Sequence, residues 1–473
     1  MARPWTADAL VIFGITGDLA RRMTFPALYL LEQRGLLDCP VVGVAGTDLT
    51  TAQLADRGHK AIEEAGEPVV ETIFGRLAGR LAYVQGDVTD PGLYQRLAVE
   101  LRGRRRPLFY LAMPPDLYAP IVEQLSGAHL VQQARVALEK PFGHDLASAK
   151  ELNSRLHQVL EEQQILRVDH FLGKEPVIEI EYLRFANFAL AELWHRDSVE
   201  AIQITMAQDF GVADRGHFYD QIGALRDVVQ NHLLQVLALV TMDPPVGPTP
   251  DDLRDKKAEV LRAMPEAEVA HYVRGQYSGY QRVPGVASGS DTETFTALRL
   301  TIDNWRWAGI PVFIRAGKQL PVRATEVRLV LKAVPELRFL PDPARVEANQ
   351  IVLRIDPDPG LRLQLSALGQ GATWREVPLD TVFARELGKP LAPYERLLHA
   401  AMTGDDRYFA REDAVEESWR IVQPLLAYPP AVHSYTPGSW GPPEAATLLV
   451  GHPPWQQPWL PSLPAHPIAA PDS

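Results

Sequence analysis

The chain has 473 residues, enough for two or three domains with ample buried core. Its 47 Lys+Arg against 59 Asp+Glu leave a formal charge of −12, which argues against nonspecific binding to nucleic acid or an anionic membrane; an anionic ligand must be met by a local cationic pocket. A single cysteine, Cys39, excludes an intrachain disulfide and a Cys-built zinc cage, no apolar run approaches the ~18 residues of a spanning helix, and the N-terminus lacks a signal-peptide core, so a cytoplasmic globular protein is expected.

The N-terminal third alternates strand and helix patterns. ALVIFG (9–14) is a short apolar run closed by glycine, followed by a helix pattern from Asp18 to about Arg34. PVVGVAG (40–46), LAYVQGDV (81–88), PLFYLAM (107–113) and ARVALEK (134–140) repeat the theme. Short apolar strands separated by amphipathic helices predict a doubly wound, Rossmann-like parallel sheet over residues 1–170.

Beyond Lys174 the pattern changes. Residues 197–209 alternate like a strand with one wet face, a helix pattern fills roughly 220–242, and DPPVGPTP stops it. Strand-like segments follow at 294–303, 310–315, 325–332, 349–355 and 361–366. These predict an α+β domain over 171–452, built on a large, mainly antiparallel sheet with helices on one face. The Pro-rich stretch 453–473 is expected to be an extended tail.

Four short segments carry candidate chemistry. In GITGDLARR (14–22), Gly14 and Gly17 permit a tight turn, and the backbone from Thr16 through Asp18 and Leu19 opens a helix whose N–H groups can cradle a pyrophosphate. The full G-x-G-x-x-G fingerprint is absent, so an ordinary strand–helix turn is the alternative. At the second strand end stand Gly46, Thr47 and Asp48: an acid there bonds the ribose 2′-hydroxyl and disfavours a 2′-phosphate, which points to NAD over NADP, or else Asp48 caps the next helix. Lys140 of EKPFGHDL (139–146) sits at a strand's carboxyl end, where open α/β sheets bind ligands, on a Lys-Pro step that suits a rigid, even cis, turn. Within 220–242, His232 falls in the stripe of Leu225, Val228, Val229, Val236 and Leu237: either a core histidine or a desolvated base.

RVDHFLGKEP (167–176), EKPFG (139–143), GITGDLA (14–20), RDVVQNHLLQ (226–235) and IRAGKQLP (314–321) occur in one chain. Together they resemble the glucose-6-phosphate dehydrogenase family, from about Ala9 to SYTPGSWGPPEA (434–445). The resemblance implies hydride transfer from C1 of a hexose 6-phosphate to a nicotinamide cofactor, with His232 as base and Asp169 orienting it. It makes His170 and Lys174 phosphate ligands, has Lys140 bridge substrate and cofactor, and gives Asp227, the position of Gln208, Lys318 and Arg323 to the sugar. It places Tyr118 in the cofactor cleft and implies a homodimer or a dimer of dimers. Alternatives are a wider Rossmann-type sugar oxidoreductase and a non-catalytic nucleotide sensor.

The departures are specific. The family's tyrosine in DHYLGKE is Phe171, a sugar-facing glutamate is Gln208, a glutamine is Asp356, a lysine after GDLA is Met23, and the cofactor-selecting A-R-S reads Ala45-Gly46-Thr47. They suggest NAD preference and an altered sugar, even an amino-sugar phosphate with Asp356 as counter-charge.

Overall fold

A computed structural model describes residues 5–335, 346–370, 374–388 and 390–461. The chain forms two compact units: Met1–Ile178 with Met242–Glu259 and Leu391–Arg420, and Glu179–Thr241 with Val260–Pro390 and Ile421–Ser473. A single boundary at residue 170 therefore misses two returns of the chain to the first unit.

The first unit is built on β1 (Ala9–Phe13), β2 (Val41–Ala45), β3 (Leu81–Gln85), β4 (Pro107–Leu111), β5 (Arg135–Glu139) and β6 (Ile165–Val168). They lie in the order β3-β2-β1-β4-β5-β6, all parallel, with Leu10 of β1 opposite Val41 of β2 and Leu108 of β4. The order reverses between β1 and β4, which opens a crevice at the carboxyl ends of the strands. Phe409–Ala410 adds an antiparallel edge beside β6. The return is anchored by apolar burial: Leu397, Leu398, Ala401 and Met402 of helix Pro393–Thr403 join the same core as Leu10, Leu28 and Val168.

The second unit carries β7 (Val199–Ala207), β8 (Tyr272–Tyr277), β9 (Phe295–Leu300), β10 (Val312–Gly317), β11 (Ala324–Leu331), β12 (Gln350–Asp356), β13 (Gly360–Leu368) and β14 (Trp374–Val382). Its order is β14-β13-β12-β11-β7-β10-β9-β8, then Val432–Tyr435. Pairing is antiparallel except for β7 with β10 and β8 with Val432–Tyr435. The mainly antiparallel expectation holds, but β8 and β14 were not foreseen. β8 is nearly all buried and holds Arg274 and Gly275, while β14 is almost all exposed, so neither alternates in polarity.

The tail is less free than its prolines suggest. Gln203 donates to the Pro453 and Pro454 carbonyls, Arg315 to Gln456, and Arg328 to Gln457; Trp459 is buried. Residues 453–461 thus form a strap without regular structure on the sheet, and the rest of the expected tail lies outside the described residues.

The helix expected from residue 220 takes its functional form at Leu225–Leu233, which is π-helical, and continues as α-helix Leu234–Thr241. The π form matters for the side chains it carries. Residues five apart sit roughly 140° apart around an α-helix, but the i→i+5 closure of a π turn brings them towards one face. Asp227 and His232 are five apart.

Candidate active site

In the first unit, Gly14 ends β1 with φ +77, and a Cβ there would fall on the Ala112 carbonyl. Only glycine fits this turn. The Gly17 N–H donates to the Gly14 carbonyl at 2.9 Å, and the helix that follows starts at Asp18. Thr16 Oγ1 lies 3.2 Å from Thr47 Oγ1, joining the ends of β1 and β2. Asp18 holds Arg21 at 2.9 Å and Arg22 at 3.1 Å, and Leu19 is half-buried. This cradle suits a diphosphate.

Asp48 is exposed, and it does not cap the next helix. Thr50 does, with Gln53 closing a capping box. The Tyr83 hydroxyl donates to the Thr47 carbonyl at 2.5 Å; burial raises its pKa, with Arg57 opposing and Asp48 adding to the shift.

Lys140 stands half-buried at the end of β5, on a cis Lys140–Pro141 peptide. Next to it lies a group that motif reading passed over. Glu139 is 7% exposed, and its carboxylate accepts from the Tyr110 and Tyr394 hydroxyls. Burial pushes its carboxyl up to about 7, the Tyr110 hydroxyl and Lys140 pull it back, and Asp169 pushes it further. Tyr118 is fully buried and gives its hydroxyl to the Glu139 carbonyl at 2.7 Å. It braces the end of β5, beside Lys140.

RVDHFLGKEP crosses from β6 into a run of i→i+3 turns: Leu172 N–H to the Asp169 carbonyl, Gly173 to His170, and Lys174 to Phe171. Asp169 is buried, and its Oδ1 accepts the Phe171 N–H at 2.9 Å. The His170 ring lies parallel to Tyr394 at 6.3 Å and edge-on to Phe171 at 5.2 Å. The Lys174 ammonium sits 4.2 Å above the Phe171 ring. Replacing tyrosine by Phe171 removes a hydroxyl, yet it leaves an aromatic face for the lysine.

The second unit brings together residues expected to face the sugar. Gln208 and Lys318 follow the parallel neighbours β7 and β10, where Ala207 pairs with Gly317. Lys318 Nζ donates to Gln208 Oε1 at 2.8 Å and lies 3.8 Å from Asp227 Oδ2. His232 follows Asp227 in the π segment and is 1% exposed. Arg323 is exposed and pairs with Asp356 at 3.4 Å. Asp356 therefore already has a counter-charge, which removes the reason for assigning it an amino sugar.

Sequence reading also missed what holds this group. Glu293 accepts the Leu225 N–H at 3.0 Å through its side chain and the Ala224 N–H at 3.0 Å through its carbonyl, and it pairs with buried Arg274 at 3.3 Å. Lys318 N–H donates to the Thr294 carbonyl at 2.9 Å, and Tyr435 donates to the Lys318 carbonyl at 2.7 Å. Two adjacent residues thus place both the start of the His232 helix and the Lys318 turn.

Two family models cover almost the entire chain: "Glucose-6-phosphate dehydrogenase, NAD binding domain" over residues 11–179 and "Glucose-6-phosphate dehydrogenase, C-terminal domain" over residues 181–456. The chain belongs to the glucose-6-phosphate dehydrogenase family. It is 63% identical over 455 residues to glucose-6-phosphate 1-dehydrogenase 1 of Mycobacterium tuberculosis, covering 96% of this chain and 97% of that relative. It resembles the crystal structure of glucose-6-phosphate 1-dehydrogenase from Mycobacterium avium, with a TM-score of 0.92, 62% identity, and 97% and 100% of the two chains covered. A glucose-6-phosphate dehydrogenase in complex with glucose-6-phosphate matches with a TM-score of 0.88 and 30% identity, over 97% of this chain and 100% of that one.

Family membership sets the departures in context. The chain matches the fold over 97% of its length with Phe171, Gln208 and Asp356 in place. Gln208 still takes the Lys318 ammonium, as a glutamate there would. The amino-sugar reading has no support from the relatives.

Proposed function

We propose that the protein oxidises the anomeric carbon of glucose 6-phosphate, yielding 6-phosphogluconolactone and a reduced nicotinamide cofactor. The observation that carries this reading is the second-unit group of Lys318, Gln208 and Asp227, the last of which shares its helix with buried His232. It offers alternating acceptors and donors for sugar hydroxyls beside a base shielded from water.

His232 takes the proton of the C1 hydroxyl. Asp169 orients the imidazole and stabilises the imidazolium that forms, the task a carboxylate performs beside a catalytic histidine. His170 and Lys174 bind the phosphate dianion through charge-assisted bonds. Lys140 bridges sugar and cofactor, and Arg323 flanks the sugar pocket. The nicotinamide, when bound, accepts the hydride from C1. The Gly14–Gly17 turn and the helix start at Asp18 and Leu19 would hold its diphosphate, and Thr16 and Asp48 would serve its adenosine ribose.

Three finer readings accompany this one. NAD is preferred over NADP, because Gly46 and Asp48 stand where a 2′-phosphate would need a cation. The chain forms a homodimer or a dimer of dimers through its large sheet, whose Leu365, Leu368, Val377 and Leu379 are exposed. It works in the cytoplasm, in glucose metabolism; among the described residues no helix is long and apolar enough to cross a membrane.

The test is initial rates with glucose 6-phosphate and saturating NAD, then NADP, for the wild type and His232→Asn. A dehydrogenase loses about 10²–10⁴-fold in kcat with sugar binding retained. Equal rates for the two proteins would refute the role of His232, and silence of the wild type with both cofactors would refute the substrate.

A further inference from the structure

Away from every residue assigned above, the first unit brings together one imidazole and two carboxylates. His157 ends the helix Leu146–His157, Glu412 opens the helix Glu412–Ala427, and Glu162 lies in the turn Glu162–Gln164. His157 Nε2 is 2.7 Å from Glu412 Oε2 and 3.5 Å from Glu162 Oε2. The three donor atoms all lie within 4.8 Å of one another.

The tautomer is set from the other side of the ring. His157 Nδ1 faces the Leu160 carbonyl at 3.3 Å, and a carbonyl only accepts, so Nδ1 carries the hydrogen in the neutral ring. The Nε2 lone pair then points at two anionic oxygens. Three electron-rich atoms facing one another require a positive occupant.

Glu162 makes the requirement sharper. Its Oε1 accepts Arg167 Nη1 at 2.6 Å and the Glu412 N–H at 2.9 Å, which fixes the carboxylate plane. Its Oε2 is buried, without a hydrogen-bond partner, and turned towards the imidazole. Arg167 is itself held by Asn153, which bonds Glu416. The ligands are therefore oriented by an outer layer, as in built metal sites.

We propose that His157, Glu162 and Glu412 bind a divalent transition metal of the zinc type. Metal–ligand bonds of about 2.0–2.1 Å place neighbouring donor atoms roughly 2.9–3.4 Å apart, close to the two separations found here. One imidazole nitrogen with two carboxylate oxygens suits zinc, cobalt or manganese better than magnesium, which prefers oxygen alone. The three side chains remain 26–33% exposed, so water can complete the coordination. A cation also suits the C-terminal end of the His157 helix. The metal ties that end to the first turn of the Glu412 helix and takes no part in hydride transfer.

The test uses the full-length protein after dialysis against a chelator. Zinc chloride is titrated into the wild type, His157→Gln and Glu412→Gln by calorimetry, with magnesium chloride as the contrast, and thermal midpoints are read with and without zinc. The wild type should bind one more equivalent of zinc than either variant, or bind it at least about tenfold more tightly. Zinc should raise the wild-type midpoint alone, and turnover of all three should match. Identical titrations and identical midpoint shifts would overturn the proposal, leaving a proton as the sole occupant and other zinc uptake adventitious. Metal-free midpoints show that each variant is folded, and two variants at separate ligands keep the test valid if one is not.

Discussion

Replacing Glu139 by glutamine tests the buried acid beside Lys140. The carboxyl lies against Tyr110, Tyr394, Lys140 and Asp169, with Tyr118 on its carbonyl, and burial lifts it from an ordinary 4.5 to about 7. Between those values the folded protein holds a proton that the unfolded chain has released. Stability therefore falls as pH rises through this window, by about 3 kcal/mol in all, and is flat for this group outside it. Glu139→Gln has nothing to titrate there. Its unfolding free energy, measured by denaturant titration from pH 4.5 to 8.5, should gain on the wild type by that amount as pH rises. Infrared difference spectra should show one protonated carboxyl lost near pH 7 in the wild type and none in the variant. Tyr110→Phe removes a hydroxyl that favours the carboxylate, so the pH midpoint of the Glu139 titration should move upward. Parallel stability curves for wild type and Glu139→Gln would refute the assignment.

Other expectations are as concrete. A Cβ at Gly46 meets only the Gly86 carbonyl at 3.9 Å, so an arginine fits there; Gly46→Arg should raise the NADP/NAD ratio of kcat/KM by about tenfold, the worth of one charge-assisted contact. If the wild type already favours NADP, Arg57→Ala should abolish that preference, since Arg57 lies near Tyr83 at this end of the sheet. Glu293→Ala leaves Arg274 with the exposed Asp291 carboxylate at 3.6 Å as its remaining counter-charge and removes the acceptor of the Leu225 N–H; it should lower stability by about 1–3 kcal/mol, with the sugar KM rising more than the cofactor KM. Glu293→Gln, which still accepts the Leu225 N–H, should recover part of the KM; unchanged stability and KM in Glu293→Ala would sink the positioning role.

Much of this protein is legible in its residues. Strands β1, β2, β4 and β5 are nearly or wholly buried on both faces, so they read as unbroken apolar runs, and the glycine after β1 marks the tight turn into the first helix. His232 stood out because a histidine interrupts an apolar stripe. Local order carries such signals, since neighbours in sequence suffice to create them. What tertiary structure alone decided involves residues far apart or patterns without contrast. Helix Pro393–Thr403 enters the first core more than two hundred residues after that domain was expected to end. The π segment that carries Asp227 and His232 starts at Leu225, whose N–H is taken by Glu293, 68 residues away. His157 and Glu412, 255 positions apart in the chain, meet at 2.7 Å. Burial of Glu139, and with it the ionisation near 7, follows from tyrosines on β4 and on the returning helix. The apolar code specifies which strands and helices form, whereas the charge state and alignment of a polar side chain depend on partners that only the closed fold supplies.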